Sequence, residues 1–105
     1  MPDMNGPTYV ILTQEPGPTW VDGVDYNEQP DFMKHVAYME EVFASGKTVL
    51  SGPFMKSIGG RTEDGGMTIL QDVTIEEAEA IALADPTDGG MIQTTVKPWW
   101  IPFHN

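Results

Sequence analysis

The chain has 105 residues, 40% of them hydrophobic and 10% aromatic, so it is long enough for one two-layer core and too short for two. Five basic against sixteen acidic side chains leave a net charge of -11, which disfavours nucleic-acid backbones and anionic lipid as partners. With no cysteine there is no disulfide or thiolate chemistry, and with no long apolar run or signal-like N-terminus a soluble, cytoplasmic protein is expected.

Residues 1–7 read as a flexible tail. Tyr9-Val10-Ile11-Leu12 is a run of strand formers that reads as buried on both faces. From Thr13 to Gln29 the prolines and glycines break any period, giving a long loop (13–29) in which Trp20, Val21 and Tyr26 signal some packing; a loop of this kind is a substrate lid or a cover. Pro30 and Asp31 suit the first turn of a helix that stops at Gly46, and Phe32, Val36, Met39 and Phe43 form its expected core stripe. His35 lies beside that stripe, at a boundary where an imidazole can be half buried and still reach a partner.

Thr48-Val49-Leu50-Ser51 is expected as the second strand, closed by Gly52-Pro53, and a loose hairpin connection (57–66) leads to a third strand, Met67-Thr68-Ile69-Leu70-Gln71. Thr74 and Glu77 have the spacing of a capping box opening a second helix. Ala78, Ile81, Ala82 and Asp85 fall at i, i+3, i+4 and i+7, so a helix continuing to Pro86 carries a carboxylate on its apolar face, where it needs a donor or a cation. Equally, a residue before proline is pushed out of helical geometry, and Asp85 can end the helix by bonding local amides. The fourth strand is expected over 91–97, with 99–105 as an aromatic C-terminal tail.

Strand, helix, strand, strand, helix, strand is the ferredoxin-like βαββαβ order of an α+β fold: a four-stranded antiparallel sheet with both helices on one face. The first and third strands carry apolar residues on both sides, so the bare sheet face is expected to meet a second copy in a homodimer.

Tyr9-Val10-Ile11-Leu12, His35-Val36-Ala37-Tyr38, Gly46 to Phe54, Gly66-Met67-Thr68-Ile69-Leu70, Glu77-Ala78, Ala84-Asp85-Pro86 and Val96 to Trp100 together resemble the YCII-related (YciI-like) proteins, in order from Thr8 to Trp100. The resemblance implies a dimeric α+β barrel, a pocket in each subunit, and a histidine–aspartate pair that falls on His35 and Asp85. The length itself implies a single domain over 1–105. An imidazole is a competent general base and a carboxylate can orient it, or act as the acid itself if burial raises its pKa. The expected function is therefore a small cofactor-free enzyme, a lyase, isomerase or hydrolase transferring a proton on a small, cyclic or aromatic substrate. Tyr38, Phe54 and Trp20 are candidate pocket residues, and two histidines without a spaced acidic motif argue against a metal site. The alternative is a non-catalytic dimer that binds a small apolar ligand or assists another enzyme, its pocket lined by aromatics including Tyr26, Trp99 and Trp100.

Overall fold

A computed structural model describes the backbone of residues 1–105 and every side chain except that of Glu63. The elements run β1 (Thr8–Pro16), a 3-10 turn (Tyr26–Glu28), α1 (Phe32–Ala44), β2 (Thr48–Met55), β3 (Thr62–Leu70), α2 (Ile75–Ala84) and β4 (Ile92–Trp100). The sheet order is β2-β3-β1-β4 and every pairing is antiparallel, so the expected ferredoxin-like α+β architecture is the one observed.

Register decides which face is covered. Val10 pairs with Leu70 and Leu12 with both Thr68 and Val96, so these side chains share one face. Val42 of α1 and Ala78 and Ala82 of α2 pack onto that same face, which puts both helices on one side of the sheet. Leu12 and Leu70 are completely buried there, each contributing about 1.5–3 kcal/mol. Ala78 and Ala82 are the buried residues of α2, on the apolar face that their spacing predicts. The capping box is present: the Glu77 amide donates to Thr74 Oγ1 at 3.1 Å and the Thr74 amide to Glu77 Oε1 at 3.2 Å. Gly46 ends α1 with φ +83°, the left-handed turn that favours glycine.

Several boundaries differ from the sequence reading. β1 continues through Pro16, so the long connection starts at Gly17 and not at Thr13. β2 runs past Gly52-Pro53 to Met55, and β4 takes in Pro98-Trp99-Trp100, which the sequence places in the tail. The physical reason is common to both: β2 and β4 are the edge strands, where a proline gives up no ladder bond that a neighbour needs. β3 also starts earlier, at Thr62, drawing the glycine-rich hairpin into the sheet. Residues 3–7 lie along the C-terminal segment, with the Asp3 amide bonded to Pro102 O, the Ile101 amide to Pro7 O, and His104 Nε2 2.8 Å from Asp3 Oδ2.

On α1 the expected core stripe is not the core. His35 and Val42 are the buried residues, with Tyr38 packed against the same cluster, whereas Phe32, Val36 and Met39 are half buried and Phe43 is exposed. The stripe Phe32-Val36-Met39-Phe43 instead walls a cavity between α1 and the sheet. A second apolar cluster, Trp20, Tyr26, Met91 and Ile92 with Phe32 against it, roots the long connection to the start of β4. Gly17 makes that junction possible, because its amide bonds Met91 O at 2.9 Å and a Cβ there would lie 2.3 Å from Gly90 O.

Candidate active site

The site is built where the end of α2 meets the first turns of α1. Pro86 keeps Asp85 out of the helix: α2 stops at Ala84, and Asp85 is the C-cap with φ -64° and ψ 121°. The helix does not continue to Pro86 as the first sequence reading has it, but Asp85 both bonds locally and meets the donor that reading asked for, one on each oxygen. Oδ1 accepts the Thr87 amide at 2.9 Å and the Thr87 hydroxyl at 2.7 Å, closing a local turn. Oδ2 accepts the His35 Nδ1 proton at 2.6 Å, from a residue 50 positions away.

Asp85 is 5% exposed and His35 7%. Burial pushes the Asp85 carboxyl up, but the bonds from His35 and then from Thr87 outweigh it, and the net direction is below the ordinary 3.8. These donors favour the ionised form, a carboxylate. A carboxylate only accepts, so Nδ1 of His35 must carry the proton, and in the neutral ring Nε2 is an acceptor. That acceptor faces the Tyr26 hydroxyl at 3.1 Å. Asp85, His35 and Tyr26 thus form one chain: carboxylate, imidazole, phenol.

His35 and Tyr26 open on a cavity of about 270 Å³. Its apolar wall is the α1 stripe already described, and its other side is Gln14 of β1 with Ser51, Gly52 and Pro53 of β2. Ser51 Oγ is occupied by Thr68 Oγ1 at 2.7 Å. Gln14 is 4% exposed and lines the cavity with a side-chain amide, a group that can both donate and accept. Of the charged groups, the cavity has Glu40 at its exposed rim and neither lysine nor arginine in its lining. Among the described residues no group of three His, Asp or Glu side chains is arranged to hold a metal ion.

The other candidates lie elsewhere. The Tyr38 hydroxyl donates to Ile81 O at 2.6 Å and ties α1 to α2. Phe54 is 38% exposed and does not line the cavity. Trp20 is buried edge-on against Tyr26, ring centroids 5.3 Å apart, and supports the site from behind. Gln14, Thr87 and the His35–Tyr26 contact escape sequence reasoning; the one usable signal was that a tyrosine in a packed loop needs a partner for its hydroxyl.

No family model matches the sequence, nor does any curated protein sequence. Among solved structures, the chain is similar to 5-chloro-2-hydroxyhydroquinone dehydrochlorinase (TftG) from Burkholderia phenoliruptrix AC1100 in complex with 2,5-dihydroxybenzoquinone, with a TM-score of 0.65. The two are 20% identical, over 87% of this chain and 92% of that one, so the likeness is one of fold.

Proposed function

We propose that the protein is a YCII-related, cofactor-free acid–base enzyme that takes a proton from a small, uncharged, hydroxylated ring and so drives an elimination. The observation that carries this reading is the buried Asp85–His35 pair at 2.6 Å with its imidazole opening on a ring-sized cavity. A cavity of about 150 Å³ holds benzene, so 270 Å³ suits one ring with several substituents. The apolar wall of α1 would face the ring plane and the Gln14 amide would bind a ring oxygen. With Glu40 at the rim and no cation in the lining, a carboxylated substrate is disfavoured.

His35 acts as base. In the keto tautomer of the ring, one hydroxyl proton has moved to the carbon that bears the leaving group and made it saturated. The O–H bond of a remaining ring hydroxyl then breaks, its electron pair moves through the ring, and the anionic substituent leaves that carbon with its bonding pair. The proton ends on His35, where the Asp85 carboxylate stabilises the imidazolium and keeps the ring in the correct tautomer. The fold it shares with a dehydrochlorinase of a hydroxylated aromatic supports chloride as the leaving group to try first. Under anaerobic conditions the protein is expected to release chloride from chlorinated hydroxyhydroquinones, read with a chloride electrode and by quinone absorbance. Release no faster than in buffer across the panel sinks the reading.

The working unit we propose is a homodimer through the bare sheet face. Tyr9 faces Trp99 and Ile11 faces Ile69 across strand pairs on the side away from the helices, where Leu50 is 66% and Trp99 42% exposed. Such a row in one chain is a surface that a second copy covers. Light scattering at micromolar concentration should give twice the 11.6 kDa chain mass; a monomer removes the facing-sheet arrangement.

A further inference from the structure

His35 does not meet the cavity with a free nitrogen. Nδ1 is committed to Asp85 at 2.6 Å, and Nε2, the only basic atom left, is capped by the Tyr26 hydroxyl at 3.1 Å. A substrate proton therefore reaches His35 only if Tyr26 moves aside or passes the proton on.

Moving aside is blocked. The Tyr26 ring is 2% exposed and wedged edge-to-face between Trp20, centroids 5.3 Å apart at 88°, and Phe32, 5.5 Å at 84°. Its backbone is tied down on both sides. Buried Gln29 accepts the Val21 amide at 2.8 Å and donates to Val21 O and Val24 O at 2.9 and 2.8 Å. Arg61, from the β2–β3 hairpin, donates through Nε to Asp25 at 2.9 Å, directly before Tyr26. The long connection thus acts as a rigid mount for one phenol that also lines the cavity.

Resting on the proposed function, we infer that Tyr26 is a catalytic residue: its hydroxyl relays the proton of a substrate ring hydroxyl to His35. As the substrate O–H bond breaks, its proton bonds to Tyr26 Oη while the original Tyr26 proton bonds to His35 Nε2. The substrate is left as an oxyanion, Tyr26 as a neutral phenol, and His35 as an imidazolium beside the Asp85 carboxylate; charge and protons balance without another reactant. Burial, with the charge of Asp85 second, raises the Tyr26 pKa well above its ordinary 10, which disfavours a free phenolate between the two transfers. The relay selects for hydroxylated rings, because a phenol hydrogen-bonds to an O–H and not to a carbon acid.

The test uses chlorinated hydroxyhydroquinone as probe, with chloride release followed in mixtures of H₂O and D₂O. Tyr26→Phe keeps the ring in its aromatic box and is expected to lower kcat about 100-fold with KM changed less than about threefold. The wild type should show a curved proton inventory from two protons in flight. Incorporating 3-fluorotyrosine at position 26, which changes phenol acidity without changing shape, should alter the rate severalfold even if Tyr26→Phe folds poorly. Full turnover by Tyr26→Phe, or an unchanged rate with fluorotyrosine, while His35→Asn is inactive, overturns the relay and leaves the proposed base standing. No chloride release by the wild type overturns both.

Discussion

Replacing His35 by asparagine is expected to lower kcat for chloride release by about 10²–10⁴-fold, the usual contribution of a positioned general base, with little change in KM. Asparagine is close in size to the near half of the imidazole and can still hydrogen-bond Asp85, so the fold is expected to survive. What it lacks is a basic nitrogen. The cavity walls that would hold a ring, Phe32, Val36 and Met39, are untouched, as is Gln14. Loss of turnover with binding retained therefore separates His35 as base from His35 as packing. A variant that keeps half its activity would show that the proton goes elsewhere.

How much of this was legible beforehand depended on whether the signal was local. The cap Thr74–Glu77, the stop at Gly46 and the alanine face of α2 are written within a few residues and appear as read. The α1 stripe was legible as apolar but not as a cavity wall, because amphipathic spacing reports only which side avoids water, and a substrate pocket avoids it as a core does. Pro53 and Pro98 misled because a proline ends a central strand but not an edge strand, and edge status is a property of the whole sheet. The pairing of His35 with Asp85 crosses 50 residues and no spacing rule reaches it; only the ordered resemblance put the two together. Tyr26 was legible as a packed, pocket-lining aromatic but its bond to His35 was not, because the order of that irregular stretch comes from Gln29, Arg61 and the Trp20–Met91 cluster, contacts that exist only after folding.

Asp85→Asn should cost both activity and stability, and pH separates the two. The substitution removes the acceptor that fixes Nδ1 as the protonated nitrogen, and an amide NH₂ turned toward His35 favours the opposite tautomer, placing a proton on the atom that must accept one. A fall in kcat of at least about 100-fold is expected from the wrong tautomer alone. In the folded protein one amide oxygen replaces two carboxylate oxygens, so either the His35 Nδ1 proton or the Thr87 amide and hydroxyl lose their acceptor. Leaving a buried donor short of its partner costs about 1–3 kcal/mol. Because the folded pKa of Asp85 lies below its ordinary 3.8, the unfolded chain binds the proton more readily; the stabilisation is complete above that value and is lost as pH falls through the lower folded one. Asp3 and Asp25 are also lowered, but they titrate in both proteins and cancel in the difference. Urea unfolding should therefore show wild type and variant well separated at pH 7 and converging below about pH 3.8. A gap that is the same at both ends would mean that Asp85 contributes shape rather than charge, and the carboxylate–imidazole pair would lose its role in the mechanism.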